Sequence, residues 1–197
     1  MTTAAAASAS GPTSEDLALD AARESILAVG WSRTTLTDIA RRAGLSRMTL
    51  YRRWPEMNAL LADLMTREWA DLVRFAPAGA GSHLDRLAAG AVHTVAALRE
   101  NELFTRIIEL DPEMVLPYLL DRPGRSQELV LGILAVEIQA GQEAREIRHG
   151  NPALLARSLV LAAHGFTFST QTMVDAGVTA AELDRELGHL VERYLAP

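Results

Sequence analysis

Apolar residues recur three or four positions apart along most of this chain, which is the spacing of α-helices. The pattern predicts nine helices, at about 14–29, 35–43, 47–54, 56–75, 83–100, 102–110, 126–146, 152–175 and 180–195, with a further short helical turn at 112–120. No segment alternates apolar and polar residues between turn residues, as a half-buried strand does. The fold class is therefore predicted to be all-α, with about nine helices.

Capping and breaking residues mark the ends of two short helices near the N-terminus. Thr35 stands three residues before Asp38, which is a variant of the capping box that begins a helix. Gly44 ends this helix, and Ser46 can cap the next one. Pro55 then forces a break. Two short helices joined by a Gly-x-Ser turn predict a helix-turn-helix motif at about 35–54.

Three helices in the C-terminal half carry broad apolar surfaces. The helix at 126–146 is apolar on nearly every side in its middle, so we expect it to be the central buried helix, and the run 154–168 is similar. The last helix repeats four large side chains on one face: Leu183, Leu187, Leu190 and Tyr194. This face can pack within one chain or against a second copy, and we favour the isologous dimer, which would form a four-helix bundle.

Two segments lack a helical pattern. Residues 1–14 are small and polar, and they have neither the basic start nor the leucine-rich core of a secretory signal, so we expect a disordered tail in a cytoplasmic protein. The segment 76–82, rich in Ala and Gly, is the clearest linker. Apolar runs stop well short of the roughly 20 residues that cross a bilayer, so no membrane association is expected.

Composition excludes several kinds of chemistry. The 197 residues include no cysteine, so a disulfide framework, a thiolate nucleophile and a cysteine-liganded zinc are excluded. The five histidines show no metal-ligand spacing: His83, His93, His149, His164 and His189. There is no Ser/His/Asp arrangement, phosphate-binding loop or pair of catalytic carboxylates. We therefore expect no metal, no cofactor and no enzymatic activity.

The charge is unevenly distributed along the chain. The net charge is −6, from 19 basic residues, all of them arginine, and 25 acidic ones. Between positions 33 and 56, however, six arginines stand against Asp38 and Glu56, a local balance of +4. Residues 61–197 hold twelve arginines against nineteen acids, a balance of −7. A short basic segment on an acidic body is typical of a nucleic-acid-binding module, although a solvated arginine-rich helix face would look the same.

The second helix of the motif has two different sides. Leu50 and Trp54 are four residues apart and, with Leu45, can pack inward against the first helix. Four side chains are then left on the outward side: Arg47, Met48, Tyr51 and Arg52. Guanidinium groups for guanine edges and apolar atoms for thymine methyl groups are what a major-groove reader needs. Thr35, Arg53 and the amides at the helix starts are placed to hold phosphates.

These residues also resemble a known family. The run Thr34-Thr-Leu-Thr-Asp-Ile-Ala-Arg-Arg-Ala-Gly-Leu-Ser-Arg-Met-Thr-Leu-Tyr-Arg-Arg-Trp-Pro55, within a gapless match over about 19–61, resembles the N-terminal domain of TetR-type (TetR/AcrR) transcriptional regulators. The resemblance implies a three-helix DNA-binding domain at 15–60 and a helical ligand-binding and dimerisation domain at 61–197. It implies a homodimer that binds double-stranded DNA at a palindromic operator, most often a repressor released by a small-molecule effector.

The resemblance also assigns roles to individual residues. Base contacts are implied for four positions of the second helix: Arg47, Met48, Thr49 and Arg52. Contacts to the DNA backbone are implied for Thr35, Tyr51 and Arg53. Two positions depart from the family, because position 48 is more often small and because Met57 stands where a phosphate-binding lysine is common.

We expect a pocket for an apolar small molecule among the helices at 102–110, 126–146 and 152–175. Its candidate lining residues are mostly apolar: Phe104, Ile107, Ile108, Met114, Tyr118, His164 and Phe168. His164 lies in an apolar run, where it is either a hydrogen-bonded core histidine or a ligand contact.

The leading hypothesis is a ligand-responsive transcriptional repressor. Two alternatives remain open. The first is a DNA-binding regulator without a small-molecule ligand, and the second is a helical small-molecule carrier or enzyme in which the basic segment is incidental.

Overall fold

The computed structural model describes residues 11–74 and 81–197, and for residues 70–74 the backbone alone. Every regular element within these ranges is helical, which confirms the all-α prediction. The described α-helices are α1 (Ser14–Val29), α2 (Leu36–Arg42), α3 (Arg47–Arg53), α4 (Met57–Arg74), α5 (His83–Glu100), α6 (Glu102–Leu110), α7 (Leu116–Leu120), α8 (Arg125–Glu143), α9 (Pro152–Met173) and α10 (Ala180–Leu195). A 3-10 turn at Pro112–Met114 precedes α7.

Most boundaries lie within a residue or two of the predicted ones. The predicted short turn at 112–120 is the 3-10 turn followed by α7. Residues 1–10 of the tail predicted at 1–14, and residues 76–80 of the linker predicted at 76–82, lie outside the described residues. None of the described helices is both long and apolar enough to cross a bilayer.

Three helices begin with reciprocal hydrogen bonds between a capping hydroxyl residue and an acidic residue three positions later. The pairs are Thr13–Asp16 before α1, Ser82–Asp85 before α5 and Thr179–Glu182 before α10. The hydroxyl and amide donors of the cap stabilise the carboxylate, and they lower the pKa of Asp85 and of Glu182 below the ordinary values. Local sequence alone therefore sets these helix starts.

The chain divides into two compact units, Met1–Leu64 and Met65–Pro197, with the boundary inside α4. In the first unit, α1, α2, α3 and the start of α4 enclose a small core. Its largest fully buried side chains are Ile26, Ile39, Leu50, Trp54, Leu60 and Leu64.

The core of the second unit lies between α5, α8, α9 and α10. Helix α10 packs along α5, and α8 packs along α9. Ile138, Leu155 and Leu187 are among its most completely buried side chains. An ion pair also joins three of these helices, because Arg99 of α5 donates to both carboxylate oxygens of Asp184 on α10 at 2.6 Å and to the carbonyl of Phe166 on α9 at 3.2 Å.

The prediction that α8 is a central buried helix is wrong for the single chain. Only Ile138 and Gly141 of this helix are buried. Leu129, Ile133 and Val136 are 43%, 44% and 71% exposed. An apolar pattern on nearly every side of a helix therefore does not require that its own chain covers it, and here it leaves an exposed apolar surface.

The face predicted for the dimer interface on α10 is only partly exposed. Leu187 is 1% exposed within its own chain, and the buried stripe of α10 continues through Val191 and Leu195. Leu190 and Tyr194, by contrast, are 54% and 36% exposed. The stripe at spacing four is used for packing inside the chain, so Leu187 is not available to a second copy.

Helix α8 ends three residues before its predicted end. Arg145 adopts φ 60°, and the amide of Glu146 donates to the carbonyl of Gly141 at 2.9 Å. This left-handed residue after the last turn closes the helix as a glycine commonly does. The predicted end at 146 followed composition, which carries no signal for a left-handed arginine.

Candidate DNA-binding site

The turn between α2 and α3 is fixed by local hydrogen bonds. Thr35 caps α2, since its hydroxyl accepts the amide of Asp38 at 3.1 Å and donates to the Asp38 carboxylate at 2.6 Å. Gly44 adopts φ 67°, and the amide of Leu45 reaches back to the carbonyl of Ala40 at 2.9 Å. This arrangement ends α2 in a left-handed residue, for which glycine carries no steric cost.

Helix α3 starts immediately after this turn. The hydroxyl of Ser46 accepts the amide of Thr49 at 3.1 Å, and the two hydroxyl oxygens of these residues are 2.8 Å apart. The inward side of α3 is anchored by Leu50 and Trp54, which are 1% and 2% exposed, as the spacing predicted. The indole N–H of Trp54 donates to Asp63 of α4 at 2.8 Å, so a part-buried hydrogen bond attaches the end of α3 to α4.

The outward side of α3 carries the side chains predicted to contact bases. Arg47 and Arg52 are exposed, Met48 is 77% exposed and Tyr51 is 45% exposed. Thr49 is half-buried because its hydroxyl faces Ser46. The helix therefore presents two guanidinium groups, a thioether and a phenol in one patch, which can donate to guanine edges and contact thymine methyl groups.

Three other arginines of this unit lie beside carboxylates. Arg41 pairs with Asp38 at 2.7 Å, and Arg42 lies 3.5 Å from Glu24. Arg53, which was predicted to hold a phosphate, donates to both oxygens of Glu15 at 3.1 Å. The hydrogen bond to Glu15 raises the pKa of Arg53 above its ordinary value. Arg53 is therefore engaged within the unit.

A second cluster of predicted residues lies in the C-terminal unit. The ring of Phe104 on α6 lies 5.6 Å from that of Phe168 on α9, and His164 lies 6.1 Å from Phe168. Tyr118 is half-buried and packs against Gly124. Ile107 is fully buried, whereas Ile108 and Met114 are half-buried in α6 and the 3-10 turn.

The sequence interpretation missed two members of this cluster. Trp69 of α4 meets Phe104 edge to face, with 6.4 Å between ring centroids. The side-chain amide of Gln127 lies 3.2 Å from Nε2 of His164 and donates to the carbonyl of Tyr118 at 3.3 Å. Its amide oxygen also accepts the N–H of Gly124 at 2.7 Å. A glutamine three residues after a glycine break was a capping signal, but nothing local connected it to His164.

The fold and the exposed arginine patch are those of helix-turn-helix DNA-binding proteins, and similarity to known proteins supports the same class. Residues 18–64 match the family described as bacterial regulatory proteins, tetR family. An uncharacterised HTH-type transcriptional regulator of Mycobacterium tuberculosis is 33% identical over 177 residues, which are 90% of this chain and 92% of the relative. The chain belongs to the TetR family of DNA-binding transcriptional regulators.

Solved structures agree with the fold over nearly the whole chain. The TetR-family transcriptional repressor QsdR of R. erythropolis is 20% identical with a TM-score of 0.68, covering 92% of this chain and 94% of its own. The flavonoid-responsive regulator FrrA is 25% identical with a TM-score of 0.61, covering 93% of this chain and 97% of its own.

The environment of His164 gives a testable pH dependence. Burial lowers the pKa of His164 below the ordinary value of about 6.5, so the unfolded chain takes up a proton at higher pH than the folded chain does. The free energy of unfolding should therefore decrease as the pH falls from neutral through this range, and His164→Gln should reduce the decrease. Urea unfolding at pH 7.5 and 5.5 measures it.

The matched control is His189→Gln, because His189 is exposed on α10. This variant should keep the wild-type decrease. An equal decrease in wild type and His164→Gln would contradict the burial of a neutral imidazole.

Proposed function

We propose that the chain is a homodimeric transcriptional repressor that reads a palindromic operator with α3 and is released by a small-molecule effector. The observation that carries the proposal is the outward patch of α3. Within the described part of the chain, neither Arg47 nor Arg52 has a carboxylate partner. The large apolar side chain of Met48 is also more exposed than packing within a folded unit would explain. Family membership supports the same assignment.

In this proposal the residues of the patch have different roles. Arg47, Met48, Thr49 and Arg52 face base edges in the major groove, where each bidentate arginine selects a guanine. Thr35 and Tyr51 contact the DNA backbone and fix the register. The acidic C-terminal unit is repelled by DNA, which leaves the basic segment to engage it.

We place the dimer interface on α8 and α9 instead of α10. The exposed side of α8 carries Leu129, Ile133 and Val136, and that of its neighbour α9 carries Leu154 and Leu161, which are 60% and 71% exposed. Two mutually packed helices with exposed apolar sides are suited to an isologous contact, in which two copies form a four-helix bundle. This arrangement also accounts for the apolar character of α8.

We place the effector site at the cluster of Trp69, Phe104, Phe168, His164 and Gln127. Its aromatic rings offer faces and edges to an apolar, ring-containing molecule, while the imidazole and the amide supply one polar point. FrrA is a flavonoid-responsive regulator, which supports an aromatic effector here. The effector would favour a dimer whose two α3 helices no longer match half-sites about 34–36 Å apart.

Replacing Arg52 tests the proposed reading role. Arg52→Ala should weaken binding to a duplex selected from a random pool by about 1–3 kcal/mol and relax the preference at one base pair in each half-site, because a bidentate contact is lost. Fluorescence anisotropy with the selected duplex and its single-base variants measures both effects.

Arg42→Ala is the control, because Arg42 is an exposed arginine of the same unit that lies beside Glu24. It should leave base preference unchanged. A loss of affinity in Arg52→Ala that is equal for all sequences would assign Arg52 to phosphates and remove the base contact from the proposal.

Replacing Val136 tests the proposed interface. Each substitution occurs twice across a symmetric contact, so Val136→Glu should place like charges together and shift the protein to monomer in analytical ultracentrifugation. Leu190→Glu, at an exposed position of α10, should leave the dimer intact. Dissociation by Leu190→Glu with Val136→Glu still dimeric would return the interface to α10.

A further inference from the structure

The last residue of the reading helix is held by side chains from two other helices. The Nε and Nη2 atoms of Arg53 donate to the two carboxylate oxygens of Glu15, in the first turn of α1, at 3.1 Å each. Nη2 also lies 3.1 Å from the carboxylate of Asp63 on α4. One guanidinium thus connects the C-terminal end of α3 to α1 and α4.

The guanidinium of Arg53 also lies over the ring of Trp54. Its Cζ atom lies 5.1 Å from the centroid of the Trp54 ring, within the range of a cation–π contact. Asp63, 15% exposed, accepts a hydrogen bond from this indole and forms an ion pair with the arginine. Because the two residues share one carboxylate, the position of the arginine is coupled to that of the buried tryptophan.

Helix α3 depends on the attachment through Arg53 because, apart from its inward anchors Leu50 and Trp54, it makes few contacts with the other helices of its unit. With seven residues α3 is too short to be stable alone, and it packs chiefly against α2. A cleft of about 300 Å³ lies beside it, bordered by Glu15 of α1 and by Thr49 and Arg52 of α3. Apolar packing is therefore incomplete on this side, and the bidentate ion pair of Arg53 with Glu15 bridges the gap.

We propose that Arg53 is a positioning residue and not a phosphate contact, and that Glu15 and Asp63 clamp it so that Arg47 and Arg52 keep a fixed orientation. The proposal rests on the reading role of α3. With the carboxylates of Glu15 and Asp63 beside it, the guanidinium belongs to a cluster that carries no net positive charge to attract a phosphate. The fork geometry and the stacking on Trp54 require an arginine here, since lysine makes neither contact in the same way.

Two substitutions in the full-length protein separate the clamp from a phosphate contact. Arg53→Lys keeps the charge but loses the fork, so the clamp predicts a loss of affinity for the selected duplex of about 2- to 5-fold, the size expected for an ion pair between half-exposed side chains. A phosphate contact would survive, because lysine also binds phosphate. Glu15→Gln should give a loss of the same order if it positions Arg53. It should instead tighten binding if Glu15 merely competes with phosphates for that arginine.

The salt dependence gives an independent measurement. Arg53→Ala should leave the slope of log K against log salt unchanged, whereas removing a phosphate contact lowers its magnitude by about 0.9. Binding to a scrambled duplex of equal length should be nearly unaffected in all three variants. Glu24→Gln, which removes an exposed carboxylate of α1 that lies 3.5 Å from Arg42, is the matched control and should change neither affinity nor slope.

Near wild-type affinity in Arg53→Lys, tighter binding in Glu15→Gln, or a lower slope in Arg53→Ala would each overturn the clamp. Failure of the reading role itself would be recognised separately. In that case the wild-type protein would show no base preference for Arg52→Ala to relax. The clamp is then tested without DNA. Thermal unfolding of Glu15→Gln, Arg53→Lys and the double variant should show coupled effects, and additive effects would also overturn it.

Discussion

The burial of Leu50 and Trp54 is the constraint on which the DNA-binding side of this protein depends. Helix α3 is too short to have a preferred orientation of its own, so the two inward side chains decide which residues point outward. The hydrogen bond from the Trp54 indole to Asp63 extends this anchor to α4. Two arginines on the opposite side are presented to solvent as a consequence of packing, and that presentation gives the motif its chemistry.

The two units of the chain use apolar surface differently. In the first unit most large apolar side chains are buried, and the two most exposed ones, Met48 and Tyr51, lie on α3. In the second unit, α8 and α9 leave apolar sides exposed, although their other sides are buried in the core that they form with α5 and α10. Contiguous exposed apolar surface is typical of interaction sites, which is why we relate this side to dimerisation.

The sequence predicted what local interactions determine and failed where distant residues decide. Capping by Thr35 and Ser46, the left-handed Gly44 and the spacing of Leu50 and Trp54 are local, so the helix-turn-helix followed from them. The pairing of Arg53 with Glu15 joins positions 38 residues apart, which no periodicity reveals. In α10 two apolar stripes share Leu187, and only packing against α5 selects the one through Val191. Gln127 joined the His164 cluster for the same reason, through tertiary contact.

The central claim is that the outward patch of α3 reads the major groove in two symmetric half-sites. Methylation interference on the selected duplex tests it most directly, because dimethyl sulfate modifies guanine N7 in the major groove and adenine N3 in the minor groove. The account predicts interference at guanine N7 in two clusters related by symmetry and centred about 34–36 Å apart. Interference confined to adenine N3, or a single cluster without a symmetric counterpart, would contradict it.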